Sequence, residues 1–283
     1  MSLREALAAA TDELARAEVG SPRHDALALA EHLLGTDRPG VERAALLGSA
    51  APDGLADLVA LRAQRVPLQH LTGRAPFRHL ELHVGPGVFV PRPETELLAG
   101  LAIDEAREGG AAPVVVDLCA GSGAVALAVA DEVPGARVVA VELSGAALVW
   151  TRRNVADTGL DVEVVAGDAT AALPELAPLE GRVDVVACNP PYIPVGMVPT
   201  EPEVRDHDPE VALYGGSEDG LAIPAAVAAR AMVLLRPGGL LVMEHADVQG
   251  AALPRLLRDA GWADVADHRD LAGRPRAVTA RRG

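Results

Sequence analysis

The chain has 283 residues, a formal net charge of −15 and 49% hydrophobic residues, of which few are aromatic. It contains no lysine, so a lysine-based P-loop, a Schiff base and a lysine general base are excluded. The acidic balance argues against a nucleic-acid backbone as partner, and two cysteines are too few for a disulfide framework. With neither a signal-peptide core nor an apolar run of ~20 residues, we expect a cytoplasmic, soluble monomer with no membrane partner.

Residues 1–75 predict a small N-terminal bundle of helices. Leucines recur at near-helical spacing in the first 14 residues. Ser21 is suited to cap a second helix, with a proline at its first position, and this helix is expected to end at Gly35. A third helix is expected to begin after the Pro-Asp-Gly turn at 52–54. We interpret this part of the chain as a helical domain.

A β-hairpin is predicted between this domain and the rest of the chain. The segment RHLELHVGPGVFV, residues 78–90, alternates apolar and polar side chains and is expected to turn at 85–87. We assign the linker to residues 76–92 and a third, catalytic domain to residues 93–283. Pro93 and the acidic residues after it suit the start of a helix.

From residue 113 onward, strands, glycine-rich turns and helices alternate. Apolar runs of this length between helices predict an α/β fold with a parallel sheet covered on both faces. The candidate strands are Val114–Leu118, Val138–Leu143, Val162–Ala166, Val183–Cys188 and Leu240–His245, with a late pair near Asp264–Asp267 and Ala277–Ala280.

The turn Gly121-Ser122-Gly123 lies between the first of these strands and a helix. Such a turn lets backbone N–H groups and a helix N-terminus approach a ligand closely. By itself the pattern fits both a dinucleotide dehydrogenase and an S-adenosylmethionine methyltransferase. Asp117 favours the methyltransferase, because a carboxylate before the turn can meet a cationic amino-acid group but would repel a pyrophosphate.

Two further acidic residues follow the next strands. Glu142 lies about 20 residues after the turn, where a carboxylate can bind ribose hydroxyls. Asp168 follows the third strand, where an adenine edge would lie, although an aspartate there can equally cap a helix. Ligands of such sheets bind at the carboxyl ends of the strands, so the three acids predict one adenosyl site.

The fourth strand delivers the tetrad Asn189-Pro190-Pro191-Tyr192 to the same edge. Its neutral interpretation is a proline-rich turn with asparagine as a cap. Its functional interpretation is a holder for a planar –NH2 group. Asn189 Oδ1 can accept one hydrogen and the Pro190 carbonyl the other, while Tyr192 can stack on the flat group. Prolines suit this loop because they fix φ and have no N–H to satisfy, and orientation then replaces a strong base.

The chain resembles the HemK/PrmC family of release-factor glutamine methyltransferases. The resemblance covers nearly the whole sequence and rests on motifs in a fixed order. They include RVPLQHLTGRAPFRHLELHVGPGVFVPRPETE (65–96), DLCAGSGAVALA (117–128), NPPYIP (189–194), DPEVALYGGSEDGL (208–221), LRPGGLLVMEH (235–245) and DLAGRPRAV (270–278). The tetrad is shared with DNA adenine and RNA guanine methyltransferases, whereas PRPETE and the Gly-Gly-x-x-Asp-Gly-Leu pattern are more specific.

The resemblance implies a class I S-adenosylmethionine-dependent methyltransferase fold with a Rossmann-like seven-stranded sheet. It also implies S-adenosyl-L-methionine as cofactor and release factors as protein substrates, recognised partly by the helical domain and the hairpin. The expected cofactor-binding residues are Asp117, Cys119, Ala120, Gly121, Ser122, Gly123, Glu142, Leu143, Asp168, Ala169 and Asn189. The expected substrate-binding residues are Asn189, Pro190, Pro191 and Tyr192, of which Asn189, Pro190 and Tyr192 are the expected catalytic residues.

The sequence departs from the family pattern at three positions. Cys119 stands where the family usually has glycine, Glu142 where aspartate is commoner, and Ala169 where an aromatic residue often lies against adenine. The last departure puts that adenine contact in doubt. Cys119 and Cys188 are expected to be reduced thiols beside the site, and no histidine shows metal-ligand spacing.

Three alternatives to glutamine methylation stay open at this point. A nucleic-acid amino-methyltransferase, acting on adenine N6 or guanine N2, would use the same tetrad but predicts a basic groove. A nicotinamide-dependent oxidoreductase leaves the tetrad unexplained, and a cofactor-binding protein without activity is permitted by Ala169. For PRPETE, the plain alternative is a helix start in which Arg92 and Glu94 pair with each other.

Overall fold

The computed structural model describes all residues from 1 to 283. The chain forms two compact units, one of residues 1–74 with 199–207 and the other of residues 75–198 with 208–283. No helix combines the length and apolar character needed to cross a lipid bilayer.

The first unit is built of helices around a core of leucine, alanine and valine. Ser2 and Glu5 form a capping box at its first helix, and Gly35 ends the second in a left-handed conformation. Ser21 precedes the second helix as predicted, but its side chain makes no capping hydrogen bond. The helices are α1 (Leu3–Arg16), α2 (Pro22–Leu34), α3 (Arg38–Leu46), α4 (Leu55–Ala63), α5 (Leu68–Thr72) and, from the later segment, α9 (Pro202–His207).

Buried ion pairs join the later segment to the first unit. Arg62 is 7% exposed and contacts Asp25 at 2.7 Å and Glu203 at 2.8 Å. Arg65 contacts Glu203 as well, at 2.7 Å. Burial opposes the charge of Glu203, but the hydrogen bonds from the two arginines outweigh it and lower its pKa to about 2. The segment 199–207 therefore folds with the helices although it follows the tetrad Asn189–Tyr192 in sequence.

A short two-stranded sheet opens the second unit, and the predicted position of its turn is wrong. Strand β1 (Arg74–Phe77) pairs with β2 (Leu80–His83), so the chain reverses at 78–79. Arg78 makes this possible by adopting a positive φ of 52°. A turn does form at 85–87, where the Val88 N–H donates to the Gly85 carbonyl at 3.4 Å, but no strands pair across it. Val88 and Val90 instead pack in a small core with Trp150.

A seven-stranded sheet forms the centre of the second unit, in the order β5-β4-β3-β6-β7-β9-β8. The neighbouring pairs from β5 to β7 are parallel, and β9 is antiparallel to both β7 and β8. The predicted parallel sheet is thus confirmed for β3 to β7, and the late pair of strands is present, although its antiparallel direction had not been predicted. The strands are β3 (Val114–Leu118), β4 (Arg137–Glu142), β5 (Val162–Ala166), β6 (Val183–Cys188), β7 (Leu235–Glu244), β8 (Ala263–Arg269) and β9 (Pro275–Arg281).

Two apolar cores account for the apolar runs of these strands. One is built around β4 to β7 with the helix that follows Leu221, and the other around the helices that follow Glu94 and Gly123. Of the strands that carry the expected site, β4, β3 and β6 are inner strands and β5 is an edge strand of the sheet. The covering helices are α6 (Thr95–Glu108), α7 (Ala124–Glu132), α8 (Gly145–Thr158), α10 (Ala222–Leu234) and α11 (Ala252–Asp259).

Candidate active site

The carboxyl ends of four neighbouring parallel strands carry the residues expected in the site. Asp117 is on β3, Glu142 ends β4, Asp168 follows β5 and Asn189 follows β6. Because β5, β4, β3 and β6 are consecutive in the sheet, these residues share one edge. This is the edge at which ligands of open α/β sheets bind.

The glycine-rich turn after β3 is held by backbone hydrogen bonds and left-handed residues. Cys119 and Ala120 donate their N–H groups to the Val141 carbonyl, at 3.1 and 2.9 Å. Gly121 and Gly123 have φ values of 58° and 86°, and Cys119 adopts 77°. A non-glycine residue at such an angle is costly, which accounts for the family's use of glycine at position 119. A Cβ built on Gly121 would meet no atom within 4 Å, so this side of the turn is open.

Asp117 lies directly beneath this turn and is 1% exposed. Its Oδ2 accepts a hydrogen bond of 3.1 Å from the Ala126 N–H, in the first turn of α7. Burial, aided by the negative charge of Glu142, raises the pKa of Asp117 to about 7. Its Oδ1 receives no hydrogen bond from the chain. A cation brought to this carboxylate would stabilise its charged form.

Glu142 links the turn to the next loop. Its two oxygens accept hydrogen bonds of 2.7 Å, one from the Gly121 N–H and one from the Ser144 N–H. Burial raises its pKa above the usual range, and these hydrogen bonds oppose the rise. A carboxylate offers about four lone-pair sites, so hydroxyl donors can still be accepted. The neighbouring Leu143 is 56% exposed.

At the β5 end, the Asp168 carboxylate closes a local turn and caps no helix, because the next helical segment begins only at Pro174. Its Oδ1 accepts from the Thr170 N–H at 2.8 Å and from the Thr170 hydroxyl at 2.7 Å. Asp168 is exposed, whereas Ala169 is buried and packs in the core beside β5. Position 169 in this chain therefore presents no aromatic face to a ligand.

The tetrad after β6 leaves two carbonyl acceptors without internal donors. Asn189 donates from Nδ2 to the Thr95 hydroxyl at 3.3 Å, which directs its Oδ1 elsewhere. Neither Asn189 Oδ1 nor the Pro190 carbonyl oxygen receives a hydrogen bond from the chain. Both oxygens are therefore available to accept hydrogen bonds from a ligand.

Tyr192 is fixed at both its ends. Its hydroxyl donates to Glu244 Oε1 at 3.0 Å, and its carbonyl oxygen accepts from Gln249 Nε2 at 2.9 Å. Burial, together with the charge of Glu244, raises the pKa of Tyr192 well above its usual range. The phenol thus remains protonated and acts as a donor, and sequence reasoning had not assigned it this contact.

The Leu-Tyr-Gly-Gly segment is bound to the tetrad by its backbone. Ile193 exchanges hydrogen bonds with the Leu213 carbonyl and the Gly215 N–H, at 2.8 and 2.9 Å. A Cβ on Gly220 would lie 2.1 Å from the Tyr192 carbonyl oxygen, and one on Gly215 would lie 1.9 Å from the Gly220 carbonyl oxygen. Close backbone packing therefore requires glycine at 220, against the tetrad, and at 215, within the motif itself.

The plain alternative for PRPETE holds for the helix start, since α6 begins at Thr95, but not for a pairing of Arg92 with Glu94. Arg92 instead forms an ion pair of 2.6 Å with Asp208 and lies 4.9 Å from the Phe89 ring centroid. The side chain of PRPETE that contacts the tetrad is Thr95. Thr95, Glu244 and Gln249 were missed as single residues, although the first two lie in motifs quoted above.

The two cysteines are free and neighbour each other at the ends of β3 and β6. Burial raises the pKa of Cys188 well above its usual value, and the thiol of Cys119 contributes in the same direction. His245 is buried and contacts the Ala246 carbonyl and Asp267, as suits a polar residue at a sheet end. No group of histidine, cysteine and acidic residues is placed to hold a metal ion.

This edge fits an adenosyl ligand with a cationic amino-acid part. The open side of Gly121 admits close approach, Asp117 offers a carboxylate oxygen, and Glu142 has spare acceptor capacity. Asp168 and Ala169 offer no comparable contact to such a ligand. The fold and this edge together define the class as the class I S-adenosylmethionine-dependent methyltransferases.

Comparison with known proteins narrows this class. Residues 83–198 match the methyltransferase small domain, and residues 5–73 match the PrmC N-terminal domain. The release factor glutamine methyltransferase of Streptomyces coelicolor is 52% identical, covering 98% of this chain and 96% of the relative. The protein of the same name from Mycolicibacterium smegmatis is 50% identical, over 99% of this chain and 98% of that protein. The protein of the same name from Mycobacterium tuberculosis strain H37Rv is 46% identical, over 100% of this chain and 92% of that protein. The chain belongs to the release factor glutamine methyltransferase family.

Solved structures share the fold. The 16S rRNA N2 G1207 methyltransferase of T. thermophilus, in complex with AdoMet and guanosine, has a TM-score of 0.52 and 24% identity. It covers 74% of this chain and 50% of its own. A methyltransferase from Pyrococcus furiosus has a TM-score of 0.51 and 18% identity, over 72% and 89% of the two chains. The nucleic-acid alternative is not favoured, since the full-length relatives carry the release-factor name.

Proposed function

We propose that this protein transfers the methyl group of S-adenosylmethionine to the side-chain amide nitrogen of the glutamine in the Gly-Gly-Gln motif of peptide chain release factors. The observation that carries the proposal is the tetrad at the end of β6, which offers Asn189 Oδ1 and the Pro190 carbonyl without internal donors. Membership of the family supports the choice of a protein glutamine as acceptor.

The residues of the chain supply orientation to a weak nucleophile. An amide nitrogen has a delocalised lone pair, and two carbonyl acceptors that take both of its hydrogens fix its plane. The cofactor supplies an electrophilic methyl group on a sulfonium. The nitrogen bonds to this methyl as the sulfonium–methyl bond breaks, and one amide hydrogen is lost to water as a proton. Holding the two groups in contact accounts for much of the rate.

We assign the cofactor to the edge formed by β3, β4 and β5. Asp117 is proposed to meet the cationic amino-acid part, and Glu142 the ribose hydroxyls. The turn from Cys119 to Gly123 provides the backbone against which the ligand lies, and Leu143 and Ala169 border the adenine side. Asp168 contributes through the shape of its turn, because its carboxylate is engaged with Thr170.

We assign recognition of the release factor partly to the helical unit. Helices α1, α2 and α3 line a groove of about 360 Å³, which contains Leu7, Leu27 and Leu46 together with Arg4 and Arg23. Leu46 is 72% exposed, so its side chain is accessible to a partner in this groove. A protein partner is consistent with the net charge of −15, which opposes nucleic acid. We propose that this chain acts as a monomer in the cytoplasm.

The decisive test is a transfer assay with labelled S-adenosylmethionine and purified release factor. A release factor whose Gly-Gly-Gln glutamine is replaced by alanine serves as the matched control, and total RNA and DNA serve as competing acceptors. We expect label on the unaltered release factor alone. Equal label on the alanine control, or label on nucleic acid only, would refute the proposed function.

A further inference from the structure

A buried chain of polar side chains lies behind the tetrad. Asn189 Nδ2 donates to Thr95 Oγ1 at 3.3 Å, and the Thr95 hydroxyl faces the Glu244 carboxylate and lowers the pKa of that group. Tyr192 donates to the same carboxylate, at Oε1. Thr95 is 4% exposed and Glu244 1%. Three elements, α6, β6 and β7, thus meet through these contacts.

The direction of the hydrogen bonds in this chain is fixed by chemistry. An ionised carboxylate can only accept hydrogen bonds, so the single hydrogen of the Thr95 hydroxyl is drawn to Glu244. Glu244 Oε2 is buried and makes no hydrogen bond, so it has an unused acceptor site for this hydrogen. With its hydrogen so committed, Thr95 Oγ1 can only accept from Asn189. The amide of Asn189 must therefore present its NH2 group to Thr95.

The opposite orientation of the Asn189 amide would disable the site. Oδ1 would then face Thr95, and the NH2 group would face the ligand. A substrate amide nitrogen carries two donors, so it would meet a further donor instead of an acceptor. No capping hydrogen bond competes for the Thr95 hydroxyl, because the start of α6 makes no side-chain capping hydrogen bond.

We propose that Thr95, with Glu244 behind it, is a positioning residue that sets the amide orientation of Asn189 and thereby turns Oδ1 toward the methyl-accepting amide. Glu244 also holds the Tyr192 ring through its hydroxyl. This inference rests on the proposed function, because it concerns how the same tetrad presents its acceptors. It gives the threonine of PRPETE a role in the transfer step and none in cofactor binding.

The test compares Thr95→Val with Thr95→Ser in the full-length protein. Valine keeps the shape of threonine but lacks the hydroxyl, whereas serine keeps the hydroxyl. Kinetics with release factor are measured at pH 8.5, because burial raises the pKa of Glu244 to about 7 and the carboxylate is ionised there. The KM for release factor, the Kd for S-adenosylmethionine and the melting temperature are measured alongside.

We expect Thr95→Val to lower kcat roughly 10- to 100-fold, the range for a misplaced reacting group. The KM and the cofactor Kd should stay within about two-fold, and Thr95→Ser should recover most of kcat. Unchanged kcat in Thr95→Val, an equal loss in Thr95→Ser, or a parallel loss of cofactor affinity would each overturn the inference.

A second variant keeps the inference testable if Thr95→Val does not fold. Glu244→Gln replaces one acceptor oxygen by a donor group, so the direction of the chain is no longer imposed. We expect a loss of kcat with cofactor affinity retained, and wild-type kcat in Glu244→Gln would contradict the inference. A wild-type protein that labels no release factor would instead refute the proposed function, so the two failures are distinguishable.

Discussion

Asn189 serves two purposes through the two ends of one amide. Nδ2 anchors the side chain to Thr95, and Oδ1 is left for a ligand. The peptide unit between Pro190 and Pro191 has no N–H, so the Pro190 carbonyl is its only hydrogen-bonding group. At the level of single residues, the site is a set of hydrogen-bond acceptors in fixed positions, and none of the tetrad residues is a strong base.

Asp117 is the residue at which we expect pH to act. Its pKa is raised to about 7 by burial, so the charged form that attracts a cation is depleted as pH falls below that value. We expect the Kd for S-adenosylmethionine to weaken roughly eight-fold from pH 7.5 to pH 6.0, in proportion to the lost competent form. Isothermal titration calorimetry across this range measures it.

Asp117→Asn is the matched variant, because it keeps the size of the side chain but cannot ionise. Its cofactor Kd should be weaker than wild type at pH 7.5 and flat across the range. In the cofactor-free protein, the folded state binds the Asp117 proton more tightly than the unfolded state does, because the pKa is raised on folding. The buried charge therefore lowers the free energy of unfolding above pH 7, and it has no such effect below the pKa of Asp117 in the unfolded state. Cofactor affinity equal to wild type at pH 7.5 would remove Asp117 from the cofactor site.

At the scale of elements, the tetrad depends on the turn packed against it. Ile193 pairs with Tyr214 in an isolated bridge, and Gln249 Nε2 donates both to the Tyr192 carbonyl and to the Asp219 carbonyl. The Gly-Gly-Ser-Glu-Asp-Gly-Leu motif, residues 215–221, is therefore a support for the loop that holds the acceptors. Its glycines are needed for space as well as for conformation.

Gly220→Ala should damage this support. The added Cβ would lie 2.1 Å from the Tyr192 carbonyl oxygen, at a φ of 71°. We expect kcat to fall by roughly 10-fold or more as the tetrad shifts, while the cofactor Kd changes little. Gly261→Ala is the control, because it has a positive φ of 86° but no atom within 4 Å. If both variants lose only stability and keep kcat, the turn does not position the tetrad.

The sheet and the positions of the tetrad and the glycine-rich turn were predictable, because apolar runs and short motifs are local signals. Helix α3 was missed because it contains Pro39 and Gly40, and it begins only because Asp37 accepts the Gly40 N–H at 3.0 Å. The hairpin turn was misplaced because Arg78 takes a positive φ that no glycine or asparagine announces. Thr95 and Glu244 are 149 positions apart in the chain, and only the strand order brings them together.

At the scale of the whole molecule, the two units carry different kinds of surface. The helical unit has a groove with apolar and arginine side chains, whereas the sheet unit carries the acidic strand ends. With a net charge of −15, attraction of a nucleic-acid backbone is opposed throughout. Selection of the protein substrate is accordingly assigned to apolar contact and to arginine.

Leu46→Glu tests this assignment. Leu46 is 72% exposed, so the change should leave folding intact while placing a charge in the groove. We expect the KM for release factor to rise roughly 10-fold, with kcat at saturation and the cofactor Kd unchanged. Leu61→Glu, on α4 and outside the groove, should leave the KM near that of wild type. Equal effects of the two variants would exclude the groove.

The central claim is that Asn189 holds the methyl-accepting amide. It is tested most directly by single-turnover transfer with Asn189→Ala, with cofactor binding measured on the same preparation. The account predicts that the transfer rate falls at least about 100-fold, as for the loss of a group that orients the reactants, while the S-adenosylmethionine Kd stays within about three-fold. Retained transfer, or the loss of cofactor binding together with transfer, would contradict it.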